Sequence, residues 1–295
     1  MPSSRTPPDR LLLTFIAYVV LGCIAFITVF PFLVLVINSF ASEHAIINYG
    51  YSIVPRELSV SAYELVFLNP QKILQAYAVT LFITGFGTAA SLFLSSMAAY
   101  SLSRKDLRYR NKLAFFIYFT TLFSGGLAPT YIVITSVLHL KNTLAVLILG
   151  PMFSVFYILI LRNFFMHSIP GSLSEAAKID GAGDFRIFLR IVLPLTAPAL
   201  ASIGLFTALA YWNDWWTAML YVERQSLMPL QYVLYKILSS VTMAANIVNN
   251  VATLNLPKES LKLAMTVISI GPIVLAYPFV QRFFIKGITL GSVKG

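Results

Sequence analysis

Charged residues are what this 295-residue sequence has least of: Asp, Glu, Lys and Arg make up 11% of it, against 58% hydrophobic residues. A soluble domain carries roughly 25% charged residues, so this chain cannot clothe itself in a water-facing surface, and it reads as a multi-pass membrane protein. Cysteine is nearly absent. The single Cys23 lies in an apolar run, which excludes an intrachain disulfide and any cysteine-based metal framework. The three histidines, His44, His139 and His167, fall in separate segments, and no His/Asp/Glu grouping has metal-ligand spacing. No GxxxxGK[ST] phosphate loop occurs, so the chain has no means of its own to hydrolyse ATP. No catalytic constellation can be assembled, and the chain is not expected to be an enzyme.

Six long stretches are free of charge: 11–42, 73–103, 113–140, 142–161, 191–213 and 263–281. Each supplies the roughly 17–25 apolar residues a spanning helix needs, because in lipid every backbone polar group must be bonded internally. The sequence therefore predicts an all-α polytopic fold with six transmembrane helices. A seventh uncharged stretch, 237–257, carries Ser239, Ser240, Asn246, Asn249, Asn250 and Asn255, and is read as a polar external loop with local helix. Gly125, Gly126 and Pro129 mark a kink or close packing in the third span, and Pro272 and Pro278 bending in the sixth.

Orientation follows from the basic residues. Placing the N-terminus inside puts fourteen of the 21 Lys and Arg in inner segments, in clusters such as Arg104, Lys105, Arg108, Arg110 and Lys112, and sets both termini in the cytoplasm. The net charge of +10 is then mostly topology, and nucleic-acid binding is not needed to explain it. The Pro-rich segment 1–10 precedes an apolar run too long for a signal-peptide core, so the first helix is expected to stay. Residues 11–295 form one membrane domain, with long external loops at 43–72 and 221–262. Those loops have a slight basic excess, which suits an acidic ligand.

One charged, glycine-punctuated segment interrupts the apolar pattern: "SLSEAAKIDGAGDFRIFLRIVLPLTAP" from Ser172 to Pro198. On the predicted topology it lies in the cytoplasm, within a loop spanning 166–194. Ser172 and Glu175 have capping-box spacing, so a short helix can start after Pro170 and Gly171. Gly181 and Gly183 can terminate it, and Asp184 can cap a second helix running to Pro194. Spacing alone also allows an amphipathic helix lying in the headgroups.

The run Glu175, Ala176, Ala177, Asp180, Gly181, Ala182, Phe188, Ile191, Leu193, Pro194 and Pro198 resembles the EAA signature of ABC importer permeases. "AAYSLSR" at 98–104, "YWNDWW" at 211–216 and the tail "YPFVQRFFIKGITLGSVKG" resemble segments of the carbohydrate-type subgroup that imports oligosaccharides and polysaccharide fragments. The resemblance implies an inner-membrane permease fold whose cytoplasmic coupling helix docks on a separate ATPase. It implies as partners a second related permease, an ABC ATPase dimer that holds ATP and Mg, and a periplasmic solute-binding protein. It further implies that Glu175, Ala176, Ala177, Asp180, Gly181 and Gly183 form the ATPase contact, while Lys178 and Arg186 are solvated or lipid-facing. The chain itself needs no cofactor.

The competing class is an ion-coupled secondary transporter of small polar solutes, which would place ionisable residues deep in the membrane. Asp214 is the one candidate, and a fifth span starting near Ala197 leaves it about 26 Å along, near the outer surface. Trp212, Trp215 and Trp216 fit an interfacial aromatic belt. They equally fit a sugar-stacking outer end of the path, with Asn213 and Asp214 bonding hydroxyls. Helical spacing sends Trp212 and Trp216 to one face and Trp215 to an adjacent one.

Overall fold

The computed structural model describes residues 8–248 and 257–291, with side chains described for 12–244 and 257–275. Among these residues the chain is helical, with a single isolated antiparallel bridge between Ala41 and Leu58. The helices are α1 (Pro8–Asn38), α2 (Glu43–Tyr49), α3 (Ser61–Val66), α4 (Pro70–Ser103), α5 (Arg110–Phe119), α6 (Leu127–Ile132), α7 (Leu144–Leu149), α8 (Val155–Ser168), α9 (Gly171–Ile179) and α10 (Asp184–Ile187). There follow α11 (Leu193–Leu195), α12 (Ala197–Trp212), α13 (Trp216–Tyr221), α14 (Leu230–Val248) and α15 (Lys258–Gly291). Single π-helical turns extend α6 over Val133–Val137 and join α10 to α11 over Phe188–Val192.

Two compact units form, one from Met1–Leu68 with Ile237–Gly271 and one from Asn69–Lys236 with Pro272–Gly295. In the first, α1 presents apolar side chains outward along nearly its whole length, from Leu12 to Leu33. Its end is tied down by polar side chains. The buried Asn38 amide donates to the Ser52 carbonyl at 2.8 Å and accepts from the Ser52 amide at 3.0 Å, and the Ser39 and Tyr63 hydroxyls bond at 2.8 Å. Glu43 caps α15: its carboxylate accepts the Glu259 and Ser260 amides and the Ser260 hydroxyl, all at 2.9–3.0 Å. An anion at that position satisfies orphan N–H groups at the positive end of the helix.

The second unit is built on α4, whose stripe of small residues lets neighbours come close. At Gly87 an added Cβ would lie 2.6 Å from the Tyr211 ring, and at Gly204 it would lie 3.0 Å from Leu92, so α12 runs antiparallel against α4. Tyr211 is 1% exposed, and its hydroxyl donates to the Ile148 carbonyl at 2.6 Å, fixing α7 to the same pair. The Thr80 hydroxyl accepts the Leu230 amide at 2.8 Å and so holds the start of α14. Farther along α4, Ala99 and Leu102 pack with Leu161 and Phe165 of α8 and with Ile187 and Phe188 in one buried cluster.

Several expectations need correction. The 113–140 stretch is not one kinked span: α5 and α6 are separated by non-helical residues, and Gly126 takes φ +85°, a left-handed value that glycine reaches without strain. Nothing packs closely on Gly125. The 142–161 stretch breaks between α7 and α8 around Gly150 and Pro151. The fifth stretch folds differently as well, since Asp184–Leu195 and Ala197–Trp212 meet at 82°. Pro194 and Pro198 flank that bend and remove amide donors from both sides of it. Residues 230–248 form a nineteen-residue helix, so the segment read as a loop is largely helical up to Val248, while 249–256 fall outside the described residues. Pro272 and Pro278 lie within α15 without interrupting it. Among the described residues Leu12–Asn38 and Pro70–Ser103 are each long and apolar enough to cross a membrane, and the bent pair is a third candidate.

Candidate functional site

The segment singled out by the sequence folds as a helix, a turn and a second helix. The helix α9 starts two residues earlier than the capping box requires: Pro170 occupies the N-cap position, Gly171 and Ser172 are already helical, and no side chain caps the end. Ser172 is thus too far inside to accept from an orphan amide, and the box does not form. The other end closes as expected. Asp180 is the C-cap and Gly181 takes φ +76°. The Gly181 amide donates to the Lys178 carbonyl at 3.0 Å, and the Ala182 amide donates to the Ala177 carbonyl at 2.9 Å. This bond pair is a Schellman motif, which needs a left-handed residue at Gly181. Gly183 has φ −70°, a value open to any residue, and acts as N-cap of α10. Asp184 therefore does not cap that helix but begins it.

Glu175, Ala176, Asp180, Gly181 and Gly183 are all exposed. Ala177 turns the other way: it is half-buried and, with Ala182, packs on the buried cluster of α4, α8 and α10. Ile179, beside the turn, is 87% exposed. An aliphatic side chain left that open beside a charged turn is the residue that sequence reasoning missed, because a lone isoleucine in an amphipathic pattern gives no signal of which way it points.

Beneath the loop lies a ring of alternating charges. Arg104, just past α4, forms ion pairs with Asp106 and Asp184, and its Nε donates to Asp106 at 2.8 Å. Lys178 of α9 reaches Asp106 at 3.2 Å and Asp184 at 3.8 Å. Hydrogen bonding to Asp106 drives the Arg104 guanidinium well above its ordinary pKa, and the same bond holds the Asp106 carboxyl far below the usual carboxylate range. Lys178, expected to be solvated or lipid-facing, is a member of this ring. Arg162 of α8 adds a further tie, donating to the Leu102 carbonyl at 3.1 Å and to Asn111 at 2.9 Å. A cleft of 320 Å³ opens beside the ring, walled by Tyr100, Arg104, Phe165, Ile169, Glu175 and Lys178.

The aromatic segment sits at the other end of α12. Trp212 is the last residue of that helix and is 6% exposed. The chain then breaks at Asn213–Trp215, where the Asp214 carboxylate accepts the Thr217 amide at 3.0 Å and so supports the start of α13. This break overturns the expectation that Trp212 and Trp216 share a helical face. Trp215 stacks on Tyr235 with ring centroids 4.7 Å apart and meets Trp216 edge-on at 5.7 Å. Trp216 is 48% exposed, and the exposed Asn213 accepts from Gln231 at 3.2 Å. Trp215, Trp216 and Tyr235 thus form the open aromatic group, while Trp212 is buried.

Residues 91–290 match the family model described as the binding-protein-dependent transport system inner membrane component. The chain belongs to this family of ABC transporter permeases. Two Bacillus subtilis relatives match nearly its full length. The polygalacturonan/rhamnogalacturonan transport system permease protein YtcP is 41% identical over 275 residues, covering 92% of this permease and 94% of the relative. Protein LplC is 39% identical over 275 residues, covering 93% and 92%. In structure, the permease is similar to a chain of a bacterial ABC transporter involved in the import of the acidic polysaccharide alginate, with a TM-score of 0.76 and 31% identity, covering 96% of this permease and 100% of that chain.

Family membership displaces the ion-coupled transporter, and Asp214 no longer calls for a proton-relay role. It also accounts for the missing phosphate loop, since the permease of an ABC transporter is its non-catalytic subunit. The helical permease fold and the EAA segment agree with each other: the loop lies on the unit's surface, carried by the buried ends of α4 and α8.

Proposed function

We propose that this chain is one of two related permease subunits of an ATP-driven importer that carries uronate-rich oligosaccharides, fragments of pectin-like polysaccharides first among them, across the bacterial inner membrane. The similarity at 41% identity to a polygalacturonan/rhamnogalacturonan permease, over nearly the whole of both chains, carries the substrate class. The likeness to an importer of alginate, another polyuronate, points the same way. Six spans with both termini in the cytoplasm fit the charge-free stretches and the basic clusters around Arg104. The breaks in the third, fourth and fifth stretches are tolerable at membrane depth where they face protein or a water-filled cavity.

In this reading the loop at 171–195 is the coupling element. Glu175, Ala176, Asp180, Gly181 and Gly183, with Ile179 at the tip, contact a cytoplasmic ATPase that holds ATP and Mg, while Ala177 seats the helix on the permease's own core. Closure of the ATPase dimer moves the loop, and α4, α8 and α12 follow as packed bodies. A periplasmic binding protein delivers the oligosaccharide to the external face. There Trp216, with Trp215 and Asn213, offers ring faces and amides to sugar at the outer end of the path.

The test is a sugar panel on the reconstituted complex. Oligogalacturonates presented with the binding protein are expected to stimulate ATP hydrolysis more than alginate oligomers do, and maltodextrins are expected to have no effect. Equal stimulation by neutral maltodextrins would overturn the substrate class.

A further inference from the structure

The charge ring beneath the coupling loop has a closed form that points to a role of its own. Its four members come from four parts of the unit: Arg104 from the end of α4, Asp106 from the α4–α5 loop, Lys178 from α9 and Asp184 from the first turn of α10. Signs alternate around the ring, so every cation faces two carboxylates, and the four charges cancel. Arg104 is its most buried member, with its side chain 17% exposed, and its guanidinium also lies 5.7 Å from the Tyr100 ring and 3.4 Å from the Tyr100 hydroxyl. Two helix-end effects reinforce the arrangement. A cation sits at the negative C-terminal end of α4, and an anion sits at the positive N-terminal end of α10.

Without the ring, little else holds α9. It is nine residues long, too short to be stable alone, and apart from Lys178 its side-chain anchors are the small, half-buried Ser174 and Ala177. The two arms of the loop are also separated by the glycine turn at 180–183, a natural hinge. Across that hinge Asp184 is fastened to the Arg104 guanidinium and Lys178 to Asp106, which Arg104 holds in place, so both arms are tied to the same ion pair past the end of α4.

On the coupling-loop reading above, we infer that Arg104 is a positioning residue that locks α9 and α10 into one body with the end of α4, so that displacement of the loop tip reaches the transmembrane helices instead of being absorbed at the turn. Arginine suits this place because a planar fork can serve two carboxylates at once, whereas an ammonium group is a single point charge.

The experiment has two readouts on the reconstituted importer. Hydrogen exchange over 171–183 follows the lock whatever the cargo is. Substrate moved per ATP hydrolysed follows its consequence. For Arg104→Ala, exchange over α9 is expected to accelerate about fivefold, the scale of one lost networked ion pair. Transport per ATP should fall severalfold while the ATPase stays bound and hydrolysis continues. The double variant Arg104→Ala with Asp184→Ala should lose less than the sum of the two single losses, because the Arg104–Asp184 pair is removed by either change. If Arg104→Ala does not accumulate, Asp184→Asn removes one arm, and its exchange should rise to a lesser degree. Unchanged exchange over 171–183 in either variant overturns the lock, and faster exchange with an unchanged transport-to-ATP ratio overturns its role in coupling. An importer inert to every sugar in the panel would instead refute the functional reading, and the exchange result would still decide the lock.

Discussion

Gly181 and Gly183 stand two residues apart in the same turn and look equivalent in the sequence, yet the structure assigns them opposite sensitivities. Gly181 sits at φ +76°, and nothing lies within 4 Å of a Cβ added there. The cost of Gly181→Ala is therefore purely one of backbone conformation, about 1 kcal/mol, and it rises toward about 2 kcal/mol for a β-branched valine. Because α9 has only nine residues, this penalty falls on local opening of the turn. One to two kcal/mol multiplies the open population by roughly 5 to 30. Gly183, at φ −70° with open space around it, tolerates alanine without strain, and the loss of unfolded-chain freedom should make Gly183→Ala neutral or slightly stabilising, by about 0.4–1 kcal/mol. The Ala182 amide, which closes the turn on the Ala177 carbonyl, is the probe. Its hydrogen exchange should accelerate in Gly181→Val and stay unchanged in Gly183→Ala. Equal effects of the two substitutions, or no acceleration in Gly181→Val, would refute the assignment of the turn. A Gly183→Ala variant with normal exchange and lost coupling would locate an ATPase contact at that bare surface.

Three further outcomes follow. Gly87→Ala should destabilise the unit by about 1–3 kcal/mol, since its Cβ meets the Tyr211 ring at 2.6 Å and the ring cannot swing away without straining its bond to Ile148; a thermal-unfolding midpoint equal to wild type would contradict the α4–α12 packing. Trp212→Ala should lower yield and stability, at the scale of about 3–5 kcal/mol for a buried Trp, whereas Trp216→Ala should leave stability intact and alter substrate-stimulated ATPase activity, a contrast that melting curves and ATPase assays read directly. The charge ring should not respond to pH in the physiological range. Asp106 has its folded pKa depressed by Arg104, so its contribution is complete above the unfolded value of about 4 and is lost only as pH falls below that; exchange over α9 that changed between pH 6 and 8 would contradict this.

The membrane class, the helical fold and the EAA segment were legible in the sequence because each rests on a strong local signal: missing charge, apolar length, and eleven residues at fixed spacing. Where helices stop inside the apolar runs was not. Residues 113–140 are free of charge, and hydropathy alone cannot tell one helix kinked at its glycines from two short helices separated by residues 120–126. The capping box failed for a similar reason. S-x-x-E spacing is necessary for that motif, but the chain's entry through Pro170 set the start of α9 two residues too early for Ser172 to serve. The charge ring was invisible because its members lie up to 80 positions apart, Arg104 just past α4 and Asp184 in the first turn of α10, and only packing of α4 against α8 and α10 brings them together. Trp212 looked available to a sugar because aromatic residues at helix ends usually are; its burial depends on neighbours that the local sequence does not name.

A photo-crosslinking residue placed at Ile179, in cells that carry the full transporter, tests the central claim most directly. The side chain is 87% exposed at the tip of the loop and supports no packing within the permease, so the probe leaves the fold intact. Crosslinking to an ATPase that carries a phosphate-binding loop is the predicted result. Capture of lipid alone, with no ATPase adduct while the protein is correctly inserted, would contradict the assignment of this loop as the site where ATP hydrolysis is converted into movement of the permease.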